Sequence, residues 1–181
     1  MTLGGAEANL SSISLILSNG TEKDTAMVIS ELTRESLLIP KLEGKSMEEI
    51  LPEMVGKLAA EGMVKDPDLF LERLLEREKL CSTNLGNGVA FPHARSEAVS
   101  RLIFAVGKRH YSVPFPDEDN KARLFFMIAV PHFATGIYLQ LLSGLAGFLH
   151  NKDMRQDLMA AKTSEEMFQV LREMDKQIGK V

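Results

Sequence analysis

Downstream of residue 45, apolar residues recur along the chain with two different spacings. Ile50, Met54, Leu58 and Met63 fall roughly three to five apart, the stripe of a helix with one buried face. The same spacing returns in Phe70, Leu71, Leu74 and Leu75, and in Tyr138, Leu141, Leu142, Leu145, Phe148 and Leu149. It appears once more in Phe168, Leu171 and Met174 or Val170, after a further helix over Asp153 to Ala161. Between these stripes lie short unbroken apolar runs: Val89-Ala90-Phe91, Leu102 to Gly107, and Leu124 to Val130. Runs of that length suit strands covered on both faces. Leu32 to Ile39 reads as a short strand or extended entry stopped by Pro40.

The boundaries carry their own chemistry. Ser46 with Glu48 and Glu49 opens one helix, and Asp66-Pro67-Asp68 opens the next with proline early and acids in the first turn. Thr163-Ser164-Glu165-Glu166 is a capping sequence for the last helix. Pro131 stops the longest apolar run, and Pro114-Phe115-Pro116-Asp117 reads as a turn-rich connection after Lys108-Arg109-His110. Strands and helices interleaved in this way predict an α/β fold: a single domain with a mixed β-sheet flanked by helices on both sides. Residues 1–30 fall outside it. Leu10 to Leu17 is mildly apolar, with four serines in and just after it, so this extension is read as a flexible tail, with an extra strand or an upstream start as alternatives. The domain spans residues 31–181.

Composition narrows the class. The 181 residues suffice for one well-developed core, and 45% hydrophobic with 25% charged residues is an ordinary globular balance. A net charge of −4 argues against a nucleic-acid surface. The single cysteine, Cys81, has no partner for an internal disulfide, which suits a reducing, cytoplasmic setting; it is read as packing near the site described next. No apolar stretch is long enough to span a membrane, and the N-terminus lacks a secretory pattern. The ten methionines fall largely on helix stripes, as filling for a core.

The chemistry concentrates in Ser82-Thr83-Asn84-Leu85-Gly86-Asn87-Gly88-Val89-Ala90-Phe91-Pro92-His93-Ala94-Arg95. Gly86 and Gly88, with Asn87 between them, tolerate a turn that other side chains resist. Val89-Ala90-Phe91 is a strand-like run ended by Pro92, so His93 emerges at the end of a stiff element beside Arg95. A neutral imidazole nitrogen held there is a nucleophile for phosphorus, with donors nearby for phosphoryl oxygens. A surface histidine after a turn is the plainer reading of Pro-His taken alone.

The whole string resembles the active-site signature of the fructose–mannitol (type 2) family of enzyme IIA domains of the phosphoenolpyruvate-dependent sugar phosphotransferase system. The matching elements are Arg77-Glu78, Ser82-Thr83, Gly86-Asn87-Gly88, Val89-Ala90-Phe91 and Pro92-His93, and the resemblance runs from about Glu31 to the C-terminus. Asn87 within the glycine pair looks most like the nitrogen-regulatory branch. The resemblance implies that His93 accepts a phosphoryl group from an HPr-like phosphocarrier protein. It also implies that Arg77, otherwise a cation suited to a helix C-terminus, points at that site. Ser82, Thr83 and Arg95 are the expected phosphoryl-oxygen partners, and a IIB domain or a regulated transporter or kinase is the expected downstream partner.

One position departs from the pattern. The family places a second histidine at the start of the helix after Pro131, and the matching residue here is Tyr138. Tyrosine keeps one O–H donor but stays neutral near pH 7. Its hydroxyl is expected to reach His93 directly or through one water, and His132 is an alternative replacement. His110 reads as solvated and His150 as a helix-end cation. Zinc-site spacing, the P-loop, the dinucleotide glycine pattern and the Gly-x-Ser-x-Gly elbow are all missing, so no cofactor is expected. Two functions fit: a phosphohistidine carrier, or a regulatory binding module with the same fold that transfers phosphate poorly. Phe91, Ala94, Phe133 and Ile137 are expected to form the partner's docking patch.

Overall fold

The computed structural model describes residues 28–115, 121–134 and 136–178, apart from the side chains of residues 137, 148–150 and 177–178. The proposed flexible tail therefore lies outside the described residues up to position 27, as do the loop after Phe115 and the side chains of Ile137 and His150. Among the described residues, five α-helices pack on a six-stranded mixed sheet. The helices are α1 (Met47–Ala60), α2 (Pro67–Leu80), α3 (Gly136–His150), α4 (Lys152–Ala160) and α5 (Ser164–Ile178). The strands are β1 (Leu38–Ile39), β2 (Asn84–Gly86), β3 (Val89–Ala90), β4 (His93–Ser96), β5 (Ile103–Pro114) and β6 (Lys121–Pro131).

The strand order is β1-β5-β6-β3-β2, with β4 also paired to β6. β6 is the central strand, and its residues from Leu124 to Val130 are all buried. Their continuous apolar character follows from burial on both faces, because successive side chains point to opposite sides. Phe125, Met127 and Ala129 join a core with α1 and α2, whereas Leu124, Phe126, Ile128 and Val130 join a core with α3, α4 and α5. The flanking of the sheet by helices on both sides is as the patterning predicts.

The starts of α2 and α5 follow their capping residues, whereas Ser46 precedes α1 without a side-chain capping bond. The Asp66 carboxylate accepts from the Leu69 amide at 3.0 Å, with Pro67 in the first turn of α2. At α5, Thr163 Oγ1 accepts from the Glu166 amide at 3.1 Å, and the Glu166 carboxylate accepts from the Lys162 amide at 2.5 Å. Lys108 is buried and donates from Nζ to the carbonyls of Met159 and Ala161, closing the C-terminal end of α4. Burial pushes its amine below the usual lysine range.

Three local readings are corrected. Residues 32–39 do not form one strand: two 3-10 turns, Ile29–Leu32 and Glu35–Leu37, lead into the two-residue β1. The segment divides its side chains between the two cores, Leu37 into one and Leu38 into the other, and only Leu38 and Ile39 reach the edge of β5. β5 does not end at Gly107 but continues through Lys108-Arg109-His110 to Pro114, paired with β6 across a register slip between Lys108 and Val113. That bulge leaves His110 and Tyr111 exposed while Val113 returns to the core. Finally, His93 begins a strand instead of ending one. β3 and β4 both run parallel to β6, interrupted only at Phe91-Pro92.

Candidate functional site

The turn before His93 has the predicted backbone. Gly86, Asn87 and Gly88 all take positive φ values, of 78°, 54° and 80°. The Asn84 side chain accepts from the Gly86 amide at 2.8 Å and tightens the turn. The Phe91 amide then donates to the Thr83 carbonyl at 2.9 Å, and the Ile128 amide to the Pro92 carbonyl at 2.9 Å. The backbone on either side of Pro92 is thereby tied to the sheet, which sets the position of His93.

Both ring nitrogens of His93 have partners. Nδ1 lies 2.8 Å from the Phe91 carbonyl oxygen, which only accepts, so Nδ1 carries the proton. Nε2 is then the lone-pair nitrogen, and the Arg77 Nε–H donates to it at 3.1 Å. Burial is the largest influence on this ring and pushes its pKa below the usual histidine value. The Phe91 hydrogen bond opposes that, Arg77 adds to it, and Glu78 opposes it weakly. His93 is thus a neutral imidazole at pH 7, with its nucleophilic nitrogen facing a guanidinium.

Arg77 is itself held by the end of α2, where its Nη1 donates to the Cys81 carbonyl at 2.7 Å. Its neighbour Glu78 turns the other way and takes both donors of Thr83: the amide at 3.0 Å and the hydroxyl at 2.5 Å. Thr83 is buried and its hydroxyl is committed to that carboxylate. Ser82 accepts from the Asn84 amide at 3.2 Å. Neither Ser82 nor Thr83 lines the depression around His93. That depression, of about 350 Å³, is lined by Arg73, Glu76, Arg77, Leu80, His93, Ala94, Arg95, Val130 and Tyr138. A larger open hollow of about 470 Å³ beside Arg34, Glu35, Ser36 and Ser164 holds no imidazole or thiol. The Ser164 hydroxyl there already donates to the Leu38 carbonyl.

Tyr138 lies in the His93 depression, but not as expected. Its ring sits beside the imidazole, with centroids 5.8 Å apart and planes tilted by 43°. No hydrogen bond joins the two residues, because Phe91 and Arg77 already occupy both imidazole nitrogens. The ring is buried, and burial raises its hydroxyl pKa above the usual tyrosine value, against the opposing influence of Arg77 and Arg95. The Arg95 guanidinium stands 5.9 Å from the Tyr138 ring centroid.

Other expectations change with the tertiary structure. Cys81 is exposed rather than packed, and its carbonyl is what serves the site. Phe91 is buried edge-on against Phe126, so it cannot meet a partner. Ala94 is also buried, although it lines the depression. His132 and Phe133 are exposed, Phe133 at 80%, with no fold back over the core. Leu80, the last residue of α2, is 83% exposed at the rim. Sequence reasoning missed Glu78 as the partner of Thr83 and Arg73 with Glu76 as lining residues. Arg77-Glu78 and Ser82-Thr83 were visible as pairs, but their cross-connection depends on how the chain turns after α2.

This geometry coincides with a family match over most of the chain. The family model described as phosphoenolpyruvate-dependent sugar phosphotransferase system, EIIA 2, matches residues 31–174. The chain belongs to this family. It is 34% identical over 143 residues to a nitrogen regulatory protein of Pseudomonas aeruginosa, covering 76% of this chain and 93% of that protein. It is 31% identical over 151 residues to the fructose-specific EIIABC component of Bacillus subtilis. That match covers 83% of this chain but only 24% of the much longer Bacillus protein. Among solved structures, the nitrogen regulatory protein IIA-Ntr of Neisseria meningitidis matches with a TM-score of 0.73 and 34% identity, covering 80% of this chain and 99% of that one. Among the described residues of this EIIA-type domain, no helix is long and apolar enough to cross a membrane. No group of three or more His, Cys, Asp and Glu residues there is placed to hold a metal ion.

Proposed function

We propose that this EIIA-type protein is a phosphohistidine carrier of the regulatory, nitrogen branch, accepting its phosphoryl group on His93 Nε2. The observation that carries the reading is the tautomer: Nδ1–H is spent on the Phe91 carbonyl, leaving the Nε2 lone pair toward the Arg-lined depression. In the transfer step, that lone pair attacks the phosphorus of a donor phosphohistidine. The N–P bond of the donor breaks, its electron pair returns to the donor ring, and a new N–P bond forms on His93. Proton transfer is not needed for this exchange.

Phosphoryl transfer of this kind depends on placement and on cations for the equatorial oxygens. As the phosphoryl group reaches Nε2, the Arg77 N–H turns from nitrogen to a phosphoryl oxygen, a bond in which both partners are charged in place of one in which only the donor is. Arg95 is the second oxygen partner. Ser82, whose hydroxyl accepts from the Asn84 amide, stands outside the lining of the depression. Thr83 acts through Glu78 to hold the end of α2, and hence Arg77, in place.

The donor is an HPr-like phosphocarrier that docks over exposed apolar groups near His93. Leu80 at the rim, Leu139 beside Tyr138, and Phe133 after the Pro131-His132 turn are 83%, 58% and 80% exposed. A IIB domain, or a transporter or kinase under regulation, is the downstream partner. The relationship to nitrogen regulatory proteins along nearly their whole length supports the regulatory assignment over bulk sugar uptake. The test is incubation with phosphoenolpyruvate, enzyme I and the HPr-like carrier, followed by intact-mass measurement. The expected result is one acid-labile phosphoryl adduct, lost in His93→Ala; a folded wild-type protein without that adduct would leave a binding module that regulates by contact.

A further inference from the structure

Arg95 follows His93 by two residues on β4, so both side chains leave the same face of the strand. It lines the same depression as Arg73 and Arg77. Arg73 is neutralised by Glu76 at 2.9 Å, and Arg77 is bonded to His93 and to the Cys81 carbonyl. Among the described residues, Arg95 makes no ion pair and no hydrogen bond. The contact that holds it is with the face of Tyr138, whose ring in turn leans on His93.

We propose that Tyr138 works through its ring, as a platform that holds the Arg95 guanidinium over the His93 depression, so that Arg95 supplies the second cation for the phosphoryl group. The proposal rests on the phosphoacceptor reading and makes Tyr138 a positioning residue. An exposed arginine samples many rotamers, and a flat aromatic neighbour restricts the guanidinium to one plane without competing for its N–H donors. Those donors stay free for phosphoryl oxygens, which a carboxylate partner would have occupied.

Two measurements test it. The first is single-turnover phosphorylation by the HPr-like carrier, read by intact mass, for Tyr138→Phe, Tyr138→Leu, Arg95→Gln and the Leu/Gln double variant. Tyr138→Phe keeps the ring and should stay within about twofold of wild type. Tyr138→Leu and Arg95→Gln should each slow transfer by about tenfold, the scale of one charge-assisted hydrogen bond. The double variant should be no slower than the slower single one, because both remove the same interaction. Arg95 is exposed, so Arg95→Gln leaves the core untouched even if Tyr138→Leu proves unstable.

The second measurement titrates the unphosphorylated protein with inorganic phosphate while following the Arg95 Nε–H resonance by NMR. A saturable shift is expected in wild type and Tyr138→Phe, but not in Tyr138→Leu and not with chloride at equal ionic strength. Tyr138→Phe as slow as Tyr138→Leu would assign the effect to the hydroxyl and overturn the proposal. Additive losses in the double variant, wild-type rates in Arg95→Gln, or no phosphate shift at Arg95 would overturn it as well. If wild type gains no adduct on His93, the carrier reading fails, while the phosphate titration still decides whether Tyr138 positions Arg95.

Discussion

The two walls of the His93 depression are built by different physics. The α2 wall is a hydrogen-bonded lattice. Arg77 reaches His93 at 3.1 Å and Cys81 at 2.7 Å, while Glu78 fixes the amide and hydroxyl of Thr83. The α3 wall is made of rings: Tyr138 against His93, with Arg95 over Tyr138. Hydrogen bonds to charged groups are directional and costly to lose, whereas ring contacts are broad and tolerate changes of shape. The α2 wall therefore sets where the His93 imidazole points, and the α3 wall sets what surrounds it. Tyr138 falls on the more tolerant wall.

The largest effect should come from cutting the lattice at its centre. Arg77→Ala removes the donor on Nε2 and, with it, the proposed phosphoryl partner, so transfer to His93 should fall by about a hundredfold. Arg77→Lys should recover only part of that loss, because a point charge does not reproduce the fork. Equal rates for Arg77→Ala and wild type in a rapid-quench assay would mean that the α2 wall only shapes the site.

Acid should act on the same centre by a different route. The folded His93 pKa lies below its unfolded value of about 6.5. The ring is therefore neutral, and transfer should be flat, from pH 8 down to about 6.5. Below the depressed folded pKa, the rate should drop by about tenfold per pH unit as Nε2 is protonated. Stability follows the same sign: the contribution of the neutral buried ring is complete above the unfolded pKa and is lost as pH falls toward the folded one. An acid limb centred above the ordinary histidine value would show that the ring is charged in the folded protein.

Removing Glu78 separates support from chemistry. Glu78→Ala leaves the buried Thr83 amide and hydroxyl unpaired, which should cost about 2 kcal/mol in urea unfolding. It should slow transfer less than Arg77→Ala does. Unchanged stability would show that water replaces the carboxylate without penalty.

The smallest effect is expected outside both walls. Phe133→Asp places a charge on an exposed loop, so the unfolding midpoint should not move. Transfer from the carrier should slow by about threefold to fivefold, the range of an interface residue outside the central cluster. Wild-type transfer kinetics would remove this loop from the docking surface.

Much of the architecture is determined by local chemistry and so is present in the sequence. Asp66-Pro67 starts α2, Thr163 with Glu166 starts α5, and the unbroken run from Leu124 to Val130 is the buried centre of the sheet. The Gly86-Asn87-Gly88 turn belongs to the same class, because its conformation depends on residues next to it. Other features depend on what lies across the fold. The short strand or extended entry expected over Leu32 to Ile39 shrinks to two strand residues, because the chain before Leu38 winds through 3-10 turns and pairs with β5 only at Leu38 and Ile39. β5 outruns its apolar stretch because β6 is there to pair with it, so charged residues such as Lys108 and Arg109 enter the strand. Thr83 loses its expected role because Glu78, one helical position past Arg77, turns back and takes both its donors. Tyr138 offers a hydroxyl in the sequence but a ring in the structure, since His93 has no nitrogen left to receive that hydroxyl. Local propensities and caps act over a few residues, and the sequence alone determined what they control. Which donors are already spent when two distant segments meet is a property of packing, and only the tertiary structure decided it.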